Sequence, residues 1–204
     1  GSKLFALNQS TIPFSSTNYL ISKIVDAGLD IHLILLRNEI NIPVVKCHIL
    51  NNIDQARSTA SGYGCHHNPE VALNRAITEA AQGRACFISG AREDILSTRF
   101  STTDYAYAKG FFSNFILEEL PAYNNSVTCT RDALNSIIDQ FDSLGWHRPI
   151  IYEYINTEPF SVVKVICPSL MPVSFSGMTL NHPRLKTFNP PRSRFQLFCE
   201  SISQ

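Results

Sequence analysis

The sequence predicts an α+β fold, a mostly antiparallel mixed sheet with helices packed on one face. Three observations carry this reading. Two apolar runs, 29–36 and 44–50, are separated by the turn-forming Asn38-Glu39-Ile40-Asn41, and so short a connection favours an antiparallel pair. Helical periodicity then governs the middle of the chain, before two further apolar runs at 150–155 and 160–166. Strands grouped at both ends of a helical stretch, without regular alternation, point to α+β.

Residues 1–14 read as an N-terminal extension. Gly1-Ser2-Lys3 resembles a cloning scar, with an upstream segment removed. Residues 15–28 suit a helix: Ser16 or Thr17 as cap, Leu20, Ile21, Ile24 and Val25 as the apolar stripe, and Gly28 as the stop. After the first strand pair, residues 57–68 form the densest small and polar stretch, read as a glycine-rich loop around Gly62 and Gly64. A strong helix follows over 69–88. Asn68 is its N-cap, Pro69 fits the first helical position, and Glu70 complements the positive end of the helix dipole. A polar connector holds Arg92, Glu93, Asp94 and Arg99, residues 104–119 are a weaker helix, and 121–127 are a loop. Thr130 caps another helix, with Ala133, Leu134, Ile137, Ile138 and Phe141 inward and Gly145 at its stop. The expected organisation is a main segment over 15–175, long enough for one sizeable core or two small subdomains, followed by a proline-containing tail over 176–204.

Composition removes several classes of function. Lys+Arg and Asp+Glu are both 17, so no net basic field exists to hold nucleic acid or an anionic membrane. No apolar run approaches the roughly 20 residues of a membrane helix. The six cysteines, Cys47, Cys65, Cys86, Cys129, Cys167 and Cys199, are scattered without a CxxC pair. That pattern reads as reduced, mostly buried thiols in a cytoplasmic protein, not a disulfide framework.

The 69–88 helix is the most informative element. With about 100° between successive residues, Arg75, Glu79, Gln82 and Cys86 share one ridge, while Leu73, Ile77, Ala80 and Ala81 point elsewhere. A cation, a carboxylate and a carboxamide therefore line up behind a helix N-terminus, where backbone N–H groups favour an anion. This set suits a nucleotide-phosphate site: Glu79 offers oxygen to Mg²⁺, Arg75 pairs with phosphate, and Gln82 orients a water or a ribose. Arg84 lies nearer the packed side. The plain alternative is that Arg75 and Glu79 form an ordinary i,i+4 pair on a solvated face, a common surface feature.

Two other chemistries match parts of the sequence. Cys65, His66 and His67 are three metal-ligating types in a row, yet adjacent residues seldom all turn inward to one zinc. Cys65 also stands near a helix N-terminus, which can activate a thiol, with His147 or His182 as distant candidate bases. No local signature supports that hydrolase.

The run Gly62–Arg84 resembles the second ATP-site motif of the YcaO family: a small-residue loop, then Pro-Glu-x-Ala-Leu-x-Arg-Ala-x-Thr-Glu-Ala-x-Gln-x-Arg. Asp26-Ala27-Gly28-Leu29-Asp30 and Asn41-Ile42-Pro43-Val44-Val45 resemble the strand pair ahead of that motif. Pro159 to Pro168 resembles the family's last strand and proline turn. The resemblance implies an ATP- and Mg²⁺-dependent enzyme acting on peptide substrates by O-phosphorylation of a backbone amide, giving an azoline or a thioamide. It places Glu79 and Gln82 at metal- and nucleotide-binding positions, and Arg75 and Arg84 at basic motif positions. His66, His67 and Glu70 are looser matches within the loop. No residue is assigned a catalytic role. The family's earlier motif, with a serine and paired glutamates, has no counterpart before residue 60. The chain is therefore expected to supply the C-terminal half of an enzyme completed by an N-terminal half, a partner protein or a homo-oligomer. The alternative is a YcaO-like scaffold or binding module.

Overall fold

A computed structural model describes residues 5–51, 59–90, 110–123, 127 and 129–170. The element order is β1 (Phe5–Leu7), a 3-10 turn (Gln9–Thr11), α1 (Ser15–Asp26), β2 (Leu29–Leu35), β3 (Val44–Asn51), β4 (Thr59–Cys65) and α2 (Pro69–Ser89). There follow β5 (Ile116–Glu118), α3 (Thr130–Ser143), β6 (Ile150–Thr157) and β7 (Phe160–Ile166). The polar connector with Arg92, Glu93, Asp94 and Arg99 and the tail from residue 171 lie outside the described residues. The chain divides into two compact units, residues 1–134 and 135–204.

The first unit is built on the antiparallel sheet β2-β3-β4. The register sets Leu33 opposite Cys47 and Cys47 opposite Gly62. Because side chains alternate across a strand, Ile31, Leu33 and Leu35 share one face with Val45, Cys47 and Ile49. All six are buried, in one core cluster with Ile21 and Ile24 of α1 and with Ala72, Leu73, Ala76, Ile77 and Ala80 of α2. Both helices thus cover the same face, as the expected architecture requires. On the opposite face Phe112 stacks on His32 at 4.4 Å and tilts against His48 at 4.9 Å.

Several local expectations change. The 57–68 stretch is not a loop over its length: Thr59–Cys65 is a strand. Its inward positions hold glycine, so it lacks the apolar alternation by which strands are recognised. Ser16 and Thr17 do not cap α1; Phe14 precedes it without a side-chain cap. The stop is as expected, with Gly28 at φ 74°. Val25, placed on the inward stripe, is exposed, and Thr17 is buried in its stead. Part of the weaker 104–119 helix is instead β5, which pairs in parallel with β1. Leu7 and Ile12 reach the core, so residues 5–14 pack with the first unit.

The second unit holds most of α3 and the β6–β7 hairpin. Phe141 is buried and meets Trp146 edge-on at 5.3 Å, and Gly145 at φ 65° ends the helix. Leu134, expected inward, is exposed. Arg148 donates its Nε to Asp142 at 2.8 Å and pairs with the same carboxylate through a second nitrogen. The hairpin strands are antiparallel with an irregularity between Glu153 and Ile155, and every residue of both strands is exposed.

Candidate functional site

The site is set by how α2 lies on β4. The chain turns back at His66–Asn68, so the helix runs antiparallel to the strand beneath it. Small residues bring the two backbones together: Gly62 faces Ala76 and Ala80, and Gly64 faces Ala72 and Ala76. A Cβ on Gly62 would stand 2.3 Å from the Ala80 nitrogen, and one on Gly64 1.8 Å from the Ala72 carbonyl oxygen. No side chain fits either space. The glycines therefore serve close packing and not loop freedom.

This approach places the charged flank of α2 along the free edge of β4. Among the described residues, β4 pairs with β3 on one side only. The Tyr63 main-chain N–H donates to Glu79 Oε2 at 2.6 Å, so it points away from β3. Two residues on, the Cys65 carbonyl accepts from an Arg75 terminal nitrogen at 3.2 Å. Arg75 and Glu79 thus reach separately to the strand edge, and among the described residues no ion pair joins them. Gln82 lies exposed one turn further on, and Arg84 is half-buried.

The start of α2 is built as the sequence suggests. Asn68 accepts the Glu70 N–H at 2.9 Å through its side chain, and its carbonyl accepts the Ala72 N–H. His66 turns its Nδ1 back onto the Asn68 N–H at 3.0 Å. The His67 Nε2 is buried and has no hydrogen-bond partner among the described residues. Glu70 is engaged elsewhere, accepting from the Ser16 hydroxyl at 2.6 Å. Asn74 donates to that hydroxyl and accepts from Thr17 at 2.7 Å, which fastens α1 to α2. Sequence reasoning missed this clamp. Its only signal was a pair of hydroxyl residues at one helix start and an acid and an amide four apart on another.

Among the described residues, no three His, Cys, Asp or Glu side chains converge as a metal set, so Cys65, His66 and His67 do not form a zinc site. Desolvation pushes the Cys65 thiol up, with Arg75 pulling the other way less strongly. That is the reverse of an activated nucleophile. The expectation of mostly buried thiols also changes: of the described cysteines only Cys47 is buried, while Cys65 and Cys129 are exposed. His182 lies outside the described residues. No helix among them is long and apolar enough to cross a membrane.

Comparison with known proteins adds three findings. A family model for the YcaO cyclodehydratase domain, described as ATP- and Mg²⁺-binding, matches residues 6–171. An uncharacterised protein of Mycobacterium tuberculosis is 37% identical over 112 residues, covering 53% of this chain and 25% of its own length. Among solved structures, YcaO from Methanopyrus kandleri bound with AMPPCP and Mg²⁺ superposes with a TM-score of 0.59 at 16% identity, over 80% of this chain and 44% of that one. The heterocyclase TruD gives 0.59 at 15% identity, over 92% of this chain and 27% of that one. This chain thus spans about a fifth to under half of the length of the proteins it matches. At such identities the structural likeness is one of fold.

Proposed function

Given that the chain belongs to the YcaO family, we propose that it supplies part of an ATP- and Mg²⁺-dependent enzyme that modifies peptide backbone amides by O-phosphorylation, yielding an azoline or a thioamide. The observation that carries this reading is the separation of Arg75 and Glu79. Each bonds a main-chain group at the β4 edge, so neither is consumed by the other. Both are exposed and can exchange these contacts for a ligand.

The donor chemistry fits. The Glu79 carboxylate and the Gln82 carboxamide oxygen are hard oxygen donors, one turn apart on the same ridge, as Mg²⁺ prefers. Two donors do not complete an octahedral shell. The remainder would come from nucleotide phosphates, water and the further length that the family's members possess. When bound, Mg²⁺–ATP supplies the phosphoryl group and neutralises charge on it. Arg75 binds phosphate oxygens from the flank, and Arg84 adds positive charge further along the helix. The helix dipole favours an anion at the start of α2, where the Asn68 and Glu70 amides are themselves capped by side chains. His67 presents a buried nitrogen there with hydrogen-bonding capacity to spare. Glu70 accepts from Ser16 and so fastens α2 to α1, which supports a positioning role for it beside the nucleotide.

The test is phosphate release from ATP when the chain is combined with a segment or partner that supplies the missing metal ligands and with a cysteine-containing peptide. Mg²⁺-dependent release that needs all components supports the proposal. The bonds that Glu79 and Arg75 make to the β4 main chain also suit a scaffold that retains the fold without the chemistry. Peptide binding with no phosphate release in the complete mixture would select that second reading.

A further inference from the structure

The contacts at the β4 edge have the form of a missing strand. In an antiparallel sheet the main-chain groups of alternate residues face opposite sides. With the Tyr63 N–H turned from β3, the groups of Ser61, Tyr63 and Cys65 all belong to the outer edge, which pairs with no strand among the described residues. A carboxylate is purely an acceptor and a guanidinium purely a donor. Glu79 therefore stands where the carbonyl of a neighbouring strand would be, and Arg75 where its N–H would be. Each is also a residue through which the nucleotide site is proposed to act, so neither can serve the edge and the nucleotide at full strength together.

We propose that the β4 edge is the docking line for an extended peptide substrate, and that nucleotide loading opens it by drawing Glu79 and Arg75 off Tyr63 and Cys65. This inference rests on the proposed function. An enzyme that acts on backbone amides needs a grip on the main chain that tolerates different side chains, and adding a strand to an open edge provides one. The edge runs beneath the flank carrying Arg75, Glu79 and Gln82, so a peptide paired there is held beside the proposed phosphate site. Side chains on one side of it would pass the exposed Tyr63 ring, which is backed by Lys46 at 5.3 Å. Nucleotide would then bind before peptide.

The test uses this chain, Mg²⁺–AMPPCP, and a fluorescein-labelled Ala–Gly peptide carrying one cysteine. A second peptide, N-methylated at successive residues, keeps the side chains and removes the main-chain donors from both of its edges. Glu79→Ala should bind the unmethylated peptide about tenfold more tightly than the parent chain does without nucleotide, a ratio well resolved by anisotropy. Glu79→Gln retains an acceptor for Tyr63 and should stay as weak as the parent; circular dichroism checks that both variants fold. Mg²⁺–AMPPCP should raise peptide affinity in the parent chain and speed hydrogen exchange at the Tyr63 amide when peptide is absent. Equal peptide affinity for parent and Glu79→Ala, or equal binding of the methylated peptide, overturns the proposal. Binding of Mg²⁺–AMPPCP without a gain in peptide affinity overturns the nucleotide gate, while the Glu79→Ala comparison decides the docking line by itself.

Discussion

Glu79 accepts the main-chain N–H of Tyr63 at 2.6 Å, and so a helix carboxylate closes the edge of the strand that the same helix covers. The bond ties the proposed ligand to the sheet.

Replacing Glu79 by Gln keeps an acceptor for Tyr63 but removes the charge that strengthens the bond. Unfolding stability should fall by about 1 kcal/mol, read from urea midpoints. In the complete enzyme, Mg²⁺-dependent phosphate release should fall far more, at least about a hundredfold, as expected when a charged group is lost from a phosphoryl-transfer site. Unchanged turnover would remove Glu79 from the site whatever the fold.

Arg75→Ala should weaken nucleotide binding and slow the alkylation of Cys65. Arg75 is the group that lowers the Cys65 thiol pKa against desolvation. Without it the thiol rises further and the reactive thiolate becomes scarcer at a given pH. Iodoacetamide labelling of Cys65, followed by peptide mass spectrometry, reads this without any nucleotide. Faster labelling would mean that Arg75 shields the thiol sterically instead.

Gly64→Ala tests the packing. The added methyl meets the Ala72 carbonyl oxygen at 1.8 Å, which only a shift of α2 can relieve. Overpacking of this kind costs about 1–3 kcal/mol or more, and here the obstacle is backbone. Thermal unfolding should show a clear loss, whereas Gly90→Ala, at a site with no neighbour within 4 Å, should show only the strain of its positive φ.

Stability should decline in mild acid. Burial, then Lys46, then His32 hold the His48 imidazole down at about 4, and burial lowers His32 as well. Between the ordinary histidine value near 6.5 and about 4, the unfolded chain binds protons that the folded chain refuses. Stability is therefore full above that window and falls as pH drops through it. His48→Gln should flatten the slope in a urea titration series; an unchanged slope would assign it to the carboxylates.

The sequence made some of this architecture legible and concealed the rest for physical reasons. The antiparallel pair β2–β3, both glycine stops and the Asn68 cap follow local rules of periodicity and backbone geometry, and each appears where expected. Arg75, Glu79 and Gln82 do share one flank of α2, since helix spacing alone decides that. The partners of Arg75 and Glu79 were not legible, because they are backbone atoms of β4 and carry no side-chain signature. Strand β4 itself was hidden because its core positions are glycines. The usable signal was correlated: glycine at every second residue of 62–64, facing alanines four apart at 72, 76 and 80. The parallel β1–β5 pairing joins residues more than a hundred positions apart, beyond any local pattern.

The hairpin of the second unit has a consequence for the bench. Phe160 is 74% exposed, and Ile150, Ile151, Tyr152, Ile155 and Val165 each lie near half exposure or above. Neither strand carries a proline, and the cis Glu158–Pro159 peptide sits between them. Among the described residues neither edge of this ribbon pairs with a further strand, and an apolar ribbon of that kind seeds like-on-like stacking in concentrated solution. The purified polypeptide should therefore have a ceiling on how far it can be concentrated before light scattering rises. Lysine in place of Val162, in the middle of β7, should lift that ceiling while leaving α2 and its flank untouched.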